Sequence, residues 1–345
     1  MKRGWPERWR QGGPLIWALL PLSWVYRLLW QLTGSWRSRR PAVAVAGLKV
    51  LSVGNLSVGG TGKSALVRAL AQASLKRRKR TAVLLRGYGA QSGARPLWVS
   101  KGRGPLVETA ASGDEAQEHA RLKGLGVLID ADRLRGALAA REAGYQVLIL
   151  DDGFQRRWQL KRDADLLLAT GPELALGERL LPAGPWREPW DQAQGATALL
   201  LQEAPKDGVL PEAWAGLPLI KVGYQPQRLW RWSVGALRKG PPLSRLRKAK
   251  VLALSGLGQP QRFEASLQSL GAQAIPARFV DHHPFSLAEL EALDLREAVA
   301  ICTTMKDAQR LPQDWKPRLP VWILEVALES QPRSALAALF RRLLK

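Results

Sequence analysis

The chain has 345 residues, 46% of them apolar, and a formal net charge of +23. That apolar share can bury the cores of about two domains and excludes a disordered or fibrous chain. The single cysteine, Cys302, excludes a disulfide framework or a multi-cysteine metal site and fits a reducing cytosol. The three histidines, His119, His282 and His283, argue against a His-rich zinc site.

The first segment, residues 1–45, is predicted to be a membrane-associated helix with basic flanks. Lys2, Arg3, Arg8 and Arg10 precede an apolar run from 15 to 32, about 18 residues and so near the lower limit for a bilayer span. Pro21 and Arg27 interrupt the run, and Arg37, Arg39 and Arg40 close it. Ser23, Arg27 and Gln31 fall at i, i+4 spacing on one stripe, among Trp24, Leu28, Leu29 and Trp30. An apolar helix with a narrow polar stripe, aromatic residues and basic ends suits the membrane interface, lying peripherally or shallowly inserted. A core helix, a single span and a cleaved signal peptide ending near Ala42-Val43-Ala44 are the competing readings.

From Lys49 the pattern changes to short apolar runs alternating with helical stretches. Strands are predicted at 50–53, 81–85, 127–129, 147–150, 166–168 and 198–201, with helices at 63–75, 115–122 and 132–143. Strands without polar residues are buried on both faces, as in a parallel sheet between helical layers. Residues 205–242, rich in Pro, Gly and Trp, are expected to be irregular and to hold a domain junction. A second alternation follows, with strands at 251–254, 274–280, 299–302 and 321–324 and helices at 260–270, 287–293 and 333–344. The expected architecture is α/β: a P-loop NTPase-like core with a mainly parallel sheet over 46–225, then a smaller α/β lobe over 226–345.

The strongest chemical signal is Ser57-Val58-Gly59-Gly60-Thr61-Gly62-Lys63-Ser64, between a predicted strand and a predicted helix. Gly59, Gly60 and Gly62 let backbone N–H groups turn inward around phosphate oxygens. The helix beginning near Lys63 aims its positive end at the same anion. Lys63 can reach the β- and γ-phosphates of ATP, and Ser64 can ligate Mg²⁺. Ser57 stands where the standard pattern has its first glycine, and a glycine-rich turn without nucleotide is the plain alternative. A second signal is Asp151-Asp152 at the end of the apolar strand 147–150. One carboxylate there can hold Mg²⁺ and the other can orient water or substrate; a solvated turn with Gly153 is the alternative.

Residues 55–64 from Asn55 onward, Arg86-Gly87-Tyr88-Gly89, Gly113-Asp114-Glu115, Asp151-Asp152-Gly153-Phe154-Gln155, Leu181-Pro182-Ala183-Gly184-Pro185 with Arg187-Glu188, and Asp281-His282-His283 occur in this order. Together they resemble the tetraacyldisaccharide 4'-kinase family over nearly the whole chain. The resemblance implies transfer of the ATP γ-phosphate to the 4'-hydroxyl of a tetraacylated glucosamine disaccharide 1-phosphate, with Mg²⁺, at the cytoplasmic face of the bacterial inner membrane. It further implies that Asp114 is the catalytic carboxylate and His282 its partner. Asn55 then joins the nucleotide-binding set, and Arg86, Gln155, Arg187 and Glu188 the substrate-binding set. Read without the family, Asp114 is a helix N-cap and His282 an ordinary loop histidine. The chain departs from the family pattern at Arg156, where a histidine is usual, at Ala116 in place of proline, and at Thr303-Thr304-Met305-Lys306-Asp307-Ala308, where the Thr-Glu-Lys-Asp-Ala motif loses its glutamate.

Two other functions compete. A partitioning- or chaperone-type ATPase shares the Gly-Gly-Thr-Gly-Lys-Ser core, but Val58 stands where such proteins usually carry a second lysine. A nucleic-acid-binding ATPase is suggested by net charge, yet no aromatic-basic RNA motif or zinc pattern accompanies it, so no specific nucleic acid is expected.

Overall fold

The computed structural model describes residues 9, 12–38, 41–58, 62–87, 95–205, 208–233, 236–280, 283–295 and 297–345. It divides into two compact units, residues 1–223 with 329–345, and residues 224–328.

The first unit opens with helix α1 (Pro14–Ser38), which runs through Pro21 without a break. Strand β1 (Lys49–Gly54) and helix α2 (Lys63–Lys76) follow, then β2 (Thr81–Leu85), β3 (Leu97–Lys101), the short helices α3 (Thr109–Ser112) and α4 (Asp114–Ala120), and β4 (Gly126–Ile129). Helix α5 (Arg133–Glu142), β5 (Val147–Asp151), β6 (Ala164–Thr170), α6 (Gly171–Leu174) and β7 (Ala198–Gln202) complete this run, and the first residues of β8 (Leu219–Ser233) pair with β7. The order β7-β6-β1-β5-β2-β4 is parallel throughout, and β3 adds an antiparallel edge to β4.

The sequence explains this sheet. Val147, Leu148, Ile149 and Leu150 of β5 are all buried, as are Leu166, Leu167 and Leu168 of β6. Each such side chain contributes about 2 kcal/mol on leaving water, which favours a central strand covered on both faces. Helix α2 buries Leu66, Val67, Leu70, Ala71 and Ser74, a 3.6-residue stripe. Helix α5 starts where the Asp132 carboxylate accepts the N–H groups of Leu134 and Arg135 at 3.0 and 3.1 Å. The register has a direct consequence for the site. Val53 lies opposite Asp151, so the carboxyl ends of β1 and β5 finish side by side, while β6 on the other flank of β1 runs on to Thr170.

The second unit contains the later part of β8 with β9 (Ala236–Lys239), then β10 (Lys250–Ser255), α7 (Pro260–Ser269), β11 (Gln273–Arg278), α8 (Leu287–Glu291), β12 (Ala300–Thr304) and most of β13 (Val321–Gln331). Strands β11-β10-β12-β13 are parallel neighbours around a core that includes Leu252, Leu254, Phe285, Ile301, Trp315 and Ile323. Helix α9 (Arg333–Leu343) returns to the first unit.

Two stretches differ from the sequence reading. Residues 219–233 within the expected irregular region form the longest strand, paired antiparallel with β9 through Trp230–Lys239 and Trp232–Leu237. Gly223, Pro226 and three cationic side chains dilute its apolar pattern. Edge strand β3 was also missed, because its five residues are partly buried at Leu97 and Trp98 and exposed at Lys101, so no uniformly apolar run marks it.

Helix α1 resolves its polar stripe. Ser23 is 5% exposed and faces the protein. Its hydroxyl donates to the Leu180 carbonyl at 2.9 Å and accepts the Ala183 N–H at 3.0 Å. Tyr26 donates to the Arg187 carbonyl at 2.8 Å, and Arg27 lies 3.8 Å from Glu178. Ile16 packs with Trp9 and Ala183. The opposite side exposes Trp17, Leu22, Trp24, Val25, Leu28, Leu29 and Leu32, with Trp24 71% accessible. The stripe thus docks through Ser23 and Arg27, with Gln31 at its end exposed, and the apolar face is the outer one.

Candidate active site

The carboxyl end of β1 leads into Asn55 and Ser57, both buried. Gly54 precedes them because no side chain fits there: an added Cβ would lie 2.5 Å from Cβ of Phe154 and 3.1 Å from its nitrogen. The segments 54–57 and 153–155 therefore run in close contact, and Gln155 donates its amide to the Asn55 carbonyl at 2.6 Å. The Asn55 side chain bridges two groups. Its amide donates to Ser57 Oγ at 3.2 Å, and its Oδ1 accepts from Lys63 Nζ at 2.9 Å. Gly59, Gly60 and Thr61 lie outside the described residues. Gly62 has φ +79°, a left-handed conformation suited to glycine, and caps α2, whose first residues are Lys63 and Ser64.

Opposite this loop stands Asp152, at φ +53° immediately after β5. Aspartate tolerates that conformation better than most side chains. Its carboxylate takes two N–H bonds from Arg187, both 3.0 Å, in the fork geometry that guanidinium favours, and lies 3.4 Å from Lys63 Nζ. Burial alone would raise its pKa. Lys63 and Arg187 outweigh burial and hold the carboxyl well below the usual carboxylate range. Arg187 also donates to Asn55 Oδ1 and to its carbonyl. Two cations share one carboxylate beside a helix N-terminus, and the net positive charge suits a phosphate oxyanion.

Asp151 has a separate partner. Its Oδ2 lies 3.1 Å from His119 Nε2, and the imidazole is fully buried. Burial pulls the His119 pKa down, but the hydrogen bond and charge of Asp151 raise it further, so the net shift is upward. Arg133 supports the same corner from behind. Its guanidinium donates to the carbonyls of Asp151 at 3.0 Å and Leu84 at 3.2 Å, and burial lowers its pKa to about 10. The sequence reading singled out neither residue for the site. His119 was visible only as one histidine on the predicted helix 115–122, and Arg133 only as a residue of the predicted helix 132–143.

The remaining expected residues are placed as follows. Asp114 is the first residue of α4, and Gly113, at φ +79°, occupies the N-cap, which corrects the N-cap reading of Asp114. The same short helix carries His119 to Asp151. Arg86 follows β2 and is exposed. Glu188 is buried and meets Arg157 at 3.1 Å. Arg156 donates to the Ala131 carbonyl at 2.8 Å. His282 lies outside the described residues. In the second unit His283 is held 2.9 Å from Glu289 and stacks on Phe279. The structure thus gathers Asn55, Ser57, Lys63, Asp152, Gln155 and Arg187 into one cluster, with Asp151 beside it.

Known proteins resemble the chain over this whole architecture. The model of the tetraacyldisaccharide-1-P 4'-kinase family, LpxK, matches residues 15–345. A tetraacyldisaccharide 4'-kinase of Anaeromyxobacter dehalogenans is 39% identical over 316 residues, 87% of this chain and 81% of that one. One of Acidithiobacillus ferrooxidans is 35% identical over 338 residues, 94% of each. The crystal structure of LpxK from Aquifex aeolicus in complex with ATP superposes with a TM-score of 0.76 at 31% identity, covering 96% of this chain and all of that one. A family match that runs through the phosphate loop, the paired aspartates and Arg187, on a shared fold, leaves one conclusion: the chain belongs to the tetraacyldisaccharide-1-P 4'-kinase family.

Proposed function

We propose that the protein transfers the γ-phosphoryl group of ATP to the 4'-hydroxyl of a tetraacylated glucosamine disaccharide 1-phosphate, a step of lipid A biosynthesis. The observation that carries this reading is the convergence of Lys63 and Arg187 on Asp152 at the mouth of helix α2, in a chain of this family. Phosphoryl transfer depends mainly on positioning and on stabilising charge. Lys63, the α2 N-terminus and Arg187 hold the nucleotide phosphates, and Asn55 and Gln155 brace the loop that presents them.

Mg²⁺ fits the same residues. Ser64, Asp151 and Asp152 are oxygen donors, the type this ion prefers. Among the described residues no group of three or more His, Cys, Asp or Glu side chains is arranged to hold a metal. That sparse set suits an ion completed by nucleotide oxygens, and the ion would neutralise phosphate charge.

On the acceptor side Asp114 takes the proton of the sugar hydroxyl and His282 assists it, the roles that the family resemblance implies. Arg86, Gln155, Arg187 and Glu188 are the proposed substrate-binding set. The exposed apolar face of α1, long and apolar enough to meet a bilayer, seats the enzyme on the cytoplasmic face of the inner membrane, lying in the interface.

The test is transfer of label from γ-labelled ATP to a purified lipid A disaccharide precursor in mixed micelles. Lys63→Ala should abolish transfer, and Asp114→Ala should lower kcat by about 10²–10⁴-fold with ATP affinity unchanged. ATP hydrolysis without labelled lipid would favour the partitioning- or chaperone-type ATPase instead.

A further inference from the structure

We infer that the inward face of α1, Tyr26 above all, is a positioning element for Arg187, so that the seat of the membrane helix and the charge geometry of the phosphate site form one mechanical unit. The argument begins with the segment 180–187. Ser23 pins its start through the Leu180 carbonyl and the Ala183 N–H, and Tyr26 pins its end through the Arg187 carbonyl. The segment then runs along the strand leading into the phosphate loop. Val58 donates to the Pro185 carbonyl and Arg187 to the Leu56 carbonyl, both at 2.7 Å, with an antiparallel bridge between Ser57 and Trp186. From this backbone the Arg187 side chain reaches Asp152 and Asn55. One hydrogen bond, from the Tyr26 hydroxyl to a main-chain carbonyl, therefore separates α1 from the arginine that shares a carboxylate with Lys63.

The choice of tyrosine supports a positioning role. The ring packs at the edge of the core cluster that holds Leu56, Phe154 and Trp186. Phenylalanine would fill the same apolar space, so the hydroxyl must be explained by its partner. Burial, and then the neighbouring Glu188 charge, push its pKa up, so the phenol remains protonated and keeps its donor. A helix that served only as an anchor would need no bond to the loop carrying a site arginine.

This inference rests on the kinase reading only in taking Arg187 to face ATP phosphates. Its test needs no lipid acceptor. ATP binding is measured by calorimetry on the full chain in detergent micelles, for wild type, Tyr26→Phe, Arg187→Ala and the double variant, with melting temperatures alongside. Tyr26→Phe should weaken ATP binding about 2- to 10-fold, the worth of one hydrogen bond, without lowering the melting temperature appreciably. In the Arg187→Ala background the same change should have no further effect, because Tyr26 acts through that arginine. Ser23→Ala should act in the same direction. Unchanged affinity in Tyr26→Phe, or equal losses in both backgrounds, would overturn the proposal. ATP coupling of this kind without label on the lipid would instead sink the functional reading alone.

Discussion

Asp152 concentrates the chemistry of the site. It holds Arg187 through two bonds and Lys63 through charge, so each cation is oriented before a phosphate arrives. The neighbouring carboxylate, Asp151, is oriented by His119, and this pair makes a pH prediction. The folded-state pKa of His119 lies above the ordinary value of about 6.5. The charged pair therefore contributes fully below that value and fades as pH rises through the folded pKa. His119→Gln keeps a donor but loses the charge. It should cost about 2 kcal/mol near pH 6 and clearly less near pH 9. Urea midpoints at the two pH values check this, and an equal cost at both would show that folding does not raise the histidine pKa. The contiguous residues of the site, Lys63 and the two aspartates, were legible in the sequence because the phosphate loop and the strand-end dyad are local patterns. His119 and Arg133 were not. Their partners are a carboxylate 32 positions away and carbonyls at the ends of two strands, contacts that exist only once β5 lies between β1 and β2.

Strand β1 and the turn after β5 show how elements position these residues. Their close approach depends on Gly54, where an added Cβ would collide with Phe154. Gly54→Val should drive the two segments apart and loosen the Gln155–Asn55 bond. A stability loss of about 1–3 kcal/mol is expected from overpacking, with weaker ATP binding. Denaturant unfolding and calorimetry measure both, and wild-type ATP affinity in that variant would contradict the bracing role given to Gln155. The central strands were legible because burial on both faces makes them uniformly apolar. Strand β8 was hidden for the opposite reason. Leu229 and Trp232 are buried, but Arg228 and Arg231 between and beside them are exposed, so no clean run appears. Helix α1 was legible as a helix and as an apolar surface. Which side faced the protein was not, because a narrow polar stripe can meet water or buried carbonyls equally well. Ser23 and Tyr26 decided it by finding partners on segment 180–187.

At the scale of the molecule, the charge of +23 and the outer face of α1 act together. In the interfacial seat proposed for α1, long-range attraction brings the basic protein to an anionic surface, and the exposed tryptophans bury their rings at headgroup depth. Replacing Trp17 and Trp24 together by serine should weaken sedimentation with phosphatidylglycerol vesicles about tenfold or more. ATP binding should not change, since both rings are exposed and Arg179, the cationic neighbour of Trp17, makes no contact with the phosphate-site cluster among the described residues. Raising salt should weaken wild-type binding as well, through screening. Vesicle binding that ignores both the double substitution and salt would count against an interfacial seat for α1.

The first unit is built from residues 1–223 together with 329–345, and the second from the stretch between them. On the ribosome this order has a consequence for assembly. Helix α1 and the phosphate loop are made early, yet α9 is made only after every residue of the second unit has been added. Domains tend to fold as their residues emerge. The inserted unit can therefore finish while the catalytic unit still lacks α9, and the part of the enzyme that handles ATP becomes complete only after the inserted unit has been made.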